Sequence, residues 1–257
     1  MAQITQNEWK KYIAGLRKVN DKSVQLMAKF LERFDVWELA EHRQEIIDYA
    51  YGLATKYGEA AAALACQMYD AIGVISDVAY PAAEPAATAT YQEVAKAVNG
   101  TIKTGNKDII SSAVGRLTKQ AGVDTTQKNA IQNGDEWAWI PSGDTCAFCI
   151  TLASRGWQKA SKRAQKNGHA EHIHANCDCT YAIRHNADSV DYSFYDPDEY
   201  KDLYYDTDPD AVKPKDRINA MRRKFYEENS EKINAQKRSA YAKQKEREAS
   251  AAEELNV

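Results

Sequence analysis

DTCAFC at Asp144–Cys149 and EHIHANCDCT at Glu171–Thr180 are the two stretches whose reading decides how this chain folds. Four of the five cysteines fall inside them: Cys146 and Cys149 in the first, Cys177 and Cys179 in the second. C-x-x-C is thus followed, after 24 residues, by His174-Ala-Asn-Cys177-Asp-Cys179. Two short-spaced clusters of soft ligands separated by a loop are what a tetrahedral zinc site needs. A C-x-x-C turn lets two thiolates converge on one ion. An extended second cluster would point Cys177 and Cys179 to the same side of the backbone. One structural Zn2+ per chain is expected, its four ligands drawn from Cys146, Cys149, His174, Cys177 and Cys179. The first pair is assigned, and the choice among the last three stays open. His169 and His172 read as solvated loop histidines. Two plainer readings stand beside zinc. Disulfides would suit a secreted chain, but the start MAQITQNEWKK carries no apolar signal segment, so a reducing compartment is expected. Buried thiols that pack as small hydrophobes describe lone Cys66, set among alanines, better than the clustered four.

Outward from the cysteines, the texture is of short strands. Glu136-Trp-Ala-Trp-Ile140 alternates large apolar residues and reads as a strand leading into Pro141 and the first pair. Thr180-Tyr-Ala-Ile-Arg184 reads as a strand leaving the second, with a basic helical segment at Gln158–Asn167 between them. Everything before residue 135 reads as helix. Thr5-Gln-Asn-Glu8 has the form of a capping box, followed by Trp9, Tyr12, Ile13 and Leu16 at helical spacing. A second pattern uses Val24, Met27, Phe30, Leu31 and Phe34, and a third runs from about Val36 towards Tyr80 with an alanine-rich centre that favours close helix contact. Pro81 and Pro85 stop it. Helical signal resumes at Tyr91–Val98 and after Asn106, and Asp124 is placed to cap a further short helix that Gly134 would end.

Charge is blocked along the chain. The whole carries −3, which excludes a polycationic class, but residues 186–210 hold nine acids against Lys201 alone. That segment also carries Tyr192, Phe194, Tyr195, Tyr200, Tyr204 and Tyr205, so it reads as an arm that docks on something rather than as disorder. From Lys213 onward twelve basic residues face eight acids, on a long polar helix opened by Pro214. No apolar run approaches the roughly 18 residues of a membrane span. The expected fold is therefore mainly α with a small α+β zinc-pinned module. The division is a helical domain at 1–80, a linker and helical lead-in at 81–134, the zinc module at 135–185, and an acidic tyrosine-rich arm with a polar C-terminal helix at 186–257.

Trp139-Ile-Pro-Ser-Gly-Asp-Thr-Cys-Ala-Phe-Cys149 together with His174-Ala-Asn-Cys-Asp-Cys-Thr180 resembles the phage Mu F-like minor head proteins. In that family a W-x(n)-D-x-x-C-x-x-C segment precedes an ending like H-P-N-C-R-C. Ala175 stands here where proline is usual and Asp178 where arginine is usual; the second change removes a positive charge beside the site. The resemblance covers about Ala121 to Arg184. It implies a non-enzymatic minor capsid protein of the virion, made in the host cytoplasm and acting in head morphogenesis, DNA packaging or ejection. The implied partners are the portal protein or the major capsid protein, and possibly packaged DNA, with no membrane. The alternative is a zinc-containing HNH-like nuclease, for which Glu171, His172, Asn176 and His185 are the residues of interest, or another enzyme acting on nucleic acid. A zinc deaminase needs H-x-E and C-x-x-C. His169-Ala-Glu171 and the first cysteine pair supply both in reversed order, and the extra thiols would fill the open coordination position.

Overall fold

Thr5 starts the first long helix as the sequence requires: its hydroxyl accepts from the Glu8 amide while the Glu8 carboxylate accepts from the Thr5 amide at 2.8 Å. In the computed structural model, which describes residues 2–142, 146–163 and 179–231 and, beyond them, 234, 235, 238, 239, 242 and 245, helix α1 runs Gln6–Leu31. The two helical patterns expected over Trp9–Leu16 and Val24–Phe34 are thus one helix, since nothing between them breaks the backbone ladder. Helix α2 spans Arg43–Ile75. It begins later than Val36 because Glu38 turns the chain, its carboxylate accepting from the Asp35 amide at 2.8 Å. Helix α3 (Tyr91–Ile102) has its own capping box at Thr90 and Glu93. Helix α4 (Lys107–Asn133) starts under the Asn106 side chain and ends at Gly134, whose φ of 69° is the left-handed turn that glycine adopts freely. Asp124 does not begin a new helix; it lies inside α4, where Gln120 donates to it at 2.7 Å.

Helix α4 is the central post. It crosses α2 so closely that a Cβ on Gly122 would sit 3.2 Å from the Ala61 carbonyl oxygen. Its buried polar residues have a specific task. The irregular strap after α2, held open by Pro81 and Pro85, lacks a ladder of its own and takes its hydrogen bonds from α4: Asn129 accepts from Glu84 N at 3.0 Å and donates to Glu84 O at 2.9 Å, and Thr125 accepts from Ala86 N at 3.0 Å. Met27, Leu31, Ile46, Val94, Val98, Ile110 and Val114 fill the core between the four helices.

Strand β1 (Ala2–Gln3) pairs in parallel with a strand at Val190–Asp191, numbered β5 below. Strand β2 (Glu136–Ile140) is the middle of a three-stranded antiparallel sheet, flanked by β3 (Gln158–Lys159) and β4 (Thr180–Arg184). Gln158 and Lys159 are therefore strand, not the start of a basic helix; residues 164–167 of that expected helix lie outside the described residues. Between β2 and β3 sits the short helix α5 (Ala147–Ala153). After β5 (Val190–Asp191) come α6 (Pro197–Asp206), capped by Asp196, and α7 (Pro214–Glu228). The second core joins Trp9, Ile13, Tyr69 and Ile72 of α1 and α2 to Trp137, Trp139, Tyr181, Ile183, Val190 and Tyr192. Packing crosses positions 80 and 134, the expected domain boundaries. The protein is mainly helical, and no helix among the described residues is long and apolar enough to cross a membrane.

The acidic segment is not a detached arm. Val190, Tyr192 and Tyr195 are buried in the second core, and Tyr204 packs on Ala147 of α5 and Met221 of α7. Most of its acids face out, while Tyr192, Tyr195 and Tyr204 face in, at spacings that follow neither a strand nor a helix until Pro197.

Candidate metal centre

The register of the sheet directs the first cysteine pair and Cys179 towards one end of it. Ile140, the last residue of β2, lies opposite Thr180, the first of β4. The chain leaving β2 therefore meets the chain entering β4 at one end of the sheet. Cys146 stands six residues past Ile140, and Cys179 immediately before Thr180. Cys146 is the N-cap of α5 and Cys149 lies in its first turn, a spacing of three that puts both side chains on one side of the helix. Cys149 and Cys179 are fully buried in the same apolar cluster, and Cys146, half-buried, packs against it. His174 and Cys177, with His169 and His172, lie outside the described residues. Cys66 is remote in sequence and lies on α2, where burial pushes its thiol up from the ordinary value.

Aromatic residues after β4 brace the sheet and α5. Tyr192 donates its hydroxyl to Ile183 O in β4 at 2.8 Å, and Tyr195 donates to Ala153 O, the last residue of α5, at 2.8 Å. Burial pushes both phenols far above the ordinary range. Tyr200 is raised by burial and then by the negative charge of Glu199, and its ring packs 6.0 Å from that of Tyr195. Trp157 closes the outer edge, with the Arg184 guanidinium 4.4 Å over its ring and 2.8 Å from Glu136 across the strand pair.

At the opposite end of β2 is a polar cluster that sequence reasoning missed. Asp135, wholly buried, accepts from the Tyr69 hydroxyl, from the Tyr80 hydroxyl at 2.7 Å, and faces His185 Nδ1 at 3.2 Å. Asn133 completes the group by donating to Tyr69 at 2.8 Å. Burial, reinforced by the carboxylate, holds both phenols protonated far above the ordinary range. This cluster ties α2, the end of α4 and the end of β4 to the first residue before β2. The signal for it was the placement of Asp135 after the helix-ending Gly134, too local to suggest partners 66 residues away. His185, which the nuclease reading draws on, is engaged here; Glu171, His172 and Asn176 lie outside the described residues.

Chemically, the cysteine end offers thiols, the donor type that suits a soft cation, but among the described residues no group of three or more His, Cys, Asp or Glu side chains is placed to hold a metal ion; the Asp135 end locks three elements together. A sequence model of one protein family, described as VG15 protein, matches residues 3–207 of this chain. No curated protein matches, and no solved structure matches.

Proposed function

The chain belongs to the VG15 protein family, a family of viral, phage proteins, and from that premise we propose that it is a structural minor capsid protein of a phage head, pinned by one structural zinc ion. What supports the metal reading is the cysteine pattern together with the pairing of Ile140 with Thr180, which directs the segments carrying Cys146, Cys149 and Cys179 to one end of the sheet; no three His, Cys, Asp or Glu side chains among the described residues form a metal-holding group, so the site would be completed by His174 or Cys177. The donor set fits zinc: thiolates from a C-x-x-C turn and from a residue buried in the same cluster as Cys149. Cys146 and Cys149 would hold the ion with two of His174, Cys177 and Cys179, and the burial of Cys179 favours it as a third ligand. Bound there, zinc would cross-link α5 to the segment entering β4, contributing on the order of 10 kcal/mol to the fold of that region. With four protein ligands it would leave no open position for a substrate, so the reading is structural rather than catalytic.

The head assignment rests on the resemblance of the cysteine pattern to Mu F-like minor head proteins, within a family of phage origin. It makes the virion the location, and the portal or the major capsid protein the first partners to test, with packaged DNA behind them. Elemental analysis of the purified full chain is expected to find about one zinc per chain. Cys149→Ser is expected to lose it and to melt earlier, whereas Cys66→Ser keeps both metal and melting point. Protein free of zinc, with the clustered thiols all titrating rapidly, would overturn the metal reading. Phage heads assembled normally without the protein, and never containing it, would overturn the capsid reading separately.

A further inference from the structure

We propose that α6 and α7 form the surface through which two copies of this chain pair about a two-fold axis. Both helices are anchored inward, Tyr204 and Met221 packing on Ala147 of α5, with Ile150 and Ile218 beside them. Outward they carry opposite charge. Asp198, Glu199, Asp202 and Asp206 stand exposed on α6 against Lys201, and Arg222, Arg223 and Lys224 on α7 against Glu227 and Glu228, so α6 is net negative and α7 net positive. These blocks do not neutralise one another within the chain. The ion pair of α6 is internal, Lys201 with Asp198, and among the described residues none of Arg222, Arg223 and Lys224 meets a carboxylate.

Large apolar residues lie among the charges: Leu203 is 51% exposed, Tyr205 52%, Phe225 48% and Tyr226 58%, and Val212 in the connecting turn is 90% exposed. Arg217, stacked 4.7 Å over Tyr205, joins the two helices, and an open concavity of about 480 Å³ runs between Thr207 at the end of α6 and Arg223 and Lys224. A patch that is negative on one side and positive on the other is complementary to itself, because a two-fold rotation lays each half on its opposite. The apolar residues supply the buried centre and the charges the polar rim that such interfaces share. Nucleic acid fits this surface less well. A phosphate backbone on Arg223 and Lys224 would lie against Glu227 and Glu228 of the same concavity, and near the acids of α6.

Sedimentation and light scattering of the full chain test this with charge reversal. The unaltered chain is expected to run as a dimer at low salt and to weaken as salt rises. D202K/D206K, with α6 and α7 both basic, and R222E/R223E, with both acidic, are each expected to associate at least about tenfold more weakly. Mixed in equal amounts they are expected to regain the dimer mass, since each then meets its opposite; recovery on mixing also proves that both are folded. Phe225→Ser with Tyr226→Ser, which leaves the charges in place, is expected to weaken pairing by a similar factor. An unaltered chain that stays monomeric at low salt overturns the proposal, as does a failure of the mixture to pair. A DNA mobility shift by a monomeric chain, abolished in R222E/R223E, would replace it with a nucleic-acid surface.

Discussion

Replacing Asp135 with alanine should cost this protein more than any other single polar change among the described residues. The carboxylate is fully buried and accepts from Tyr69, itself fully buried, and from Tyr80, half-buried, with His185 a third, more exposed neighbour. Hydrogen bonds to a charged group contribute about 1.5–3 kcal/mol each, and a buried donor left without an acceptor carries its own desolvation cost. Counting the two tyrosines and discounting the histidine for exposure, Asp135→Ala should lose about 4 kcal/mol. That is a large part of the roughly 5–15 kcal/mol typical of a folded domain. At about 2–4 °C per kcal/mol for a chain of this size, the melting point should fall by about 8–16 °C. Tyr69→Phe should lose about 2 kcal/mol, and the double change Tyr69→Phe with Asp135→Asn should lose less than the sum of the two singles by about 1 kcal/mol or more. Urea titration followed by far-UV circular dichroism, with tryptophan fluorescence as a second probe, measures all of these. An Asp135→Ala chain within about 0.5 kcal/mol of the original, or strictly additive single changes, would refute the view that this carboxylate locks α2 to the sheet.

Asp124, half-buried on α4, has its carboxyl pushed up to about 6 by burial, against the lowering effect of the Gln120 bond and with help from Glu93. Because this folded value lies above the ordinary 3.8, the folded chain holds the proton more tightly, and the stability present below about pH 4 is lost as pH rises through about 6. Asp124→Asn should therefore be the more stable chain at pH 7, by up to about 3 kcal/mol, with the difference in urea midpoint vanishing below about pH 4. Two glycine changes should have opposite signs: Gly52→Ala, with nothing within 4 Å of the new Cβ, should stabilise α2 by about 0.5–1 kcal/mol. Gly122→Ala, 3.2 Å from the Ala61 carbonyl, should destabilise by about 1–3 kcal/mol in thermal melts. A chain ending at Arg184 should fail to melt cooperatively, since it lacks Val190, Tyr192 and Tyr195 of the second core; a sharp transition close to that of the full chain would show this core to be dispensable.

Strands β2 and β4 were legible to the residue because Glu136–Ile140 and Thr180–Arg184 are short, rich in aromatic and branched side chains, and bounded by Gly134, Pro141 and Asn186. The capping signals at Thr5 and Asn106 and the glycine stop at Gly134 also read directly, since each is a local hydrogen-bonding event. What failed to read was tertiary. Helices α1 and α4 run through points where periodicity lapses, because Ser23, Thr118, Thr125 and Asn129 are buried polar residues whose partners come from elsewhere: Ser23 bonds Thr118 across two helices at 3.2 Å, and Asn129 serves the strap. The acidic segment reads as an arm that docks on something, and that it docks on its own chain was not legible, because the Tyr192 and Tyr195 hydroxyls seek backbone carbonyls of β4 and α5 and no sequence period encodes a carbonyl. The cysteine pairs were legible as a pattern, while the direction of Cys146, Cys149 and Cys179 towards one end of the sheet follows from the pairing of Ile140 with Thr180, which spacing alone could not supply.

The pairing of Ala2 with Val190, and the bond from the Ile4 amide to the Asp191 carbonyl at 2.9 Å, set a clock on biosynthesis. The segment leading into α1 is thus held by one far later in the chain, and Trp9 finds its edge-to-face partner in Tyr192. At roughly 5–20 residues per second on the ribosome, about 10–40 s pass before that partner is synthesised. Through that interval Trp9 and Ile13, on the face of α1 that the second core covers, have no sheet to close against.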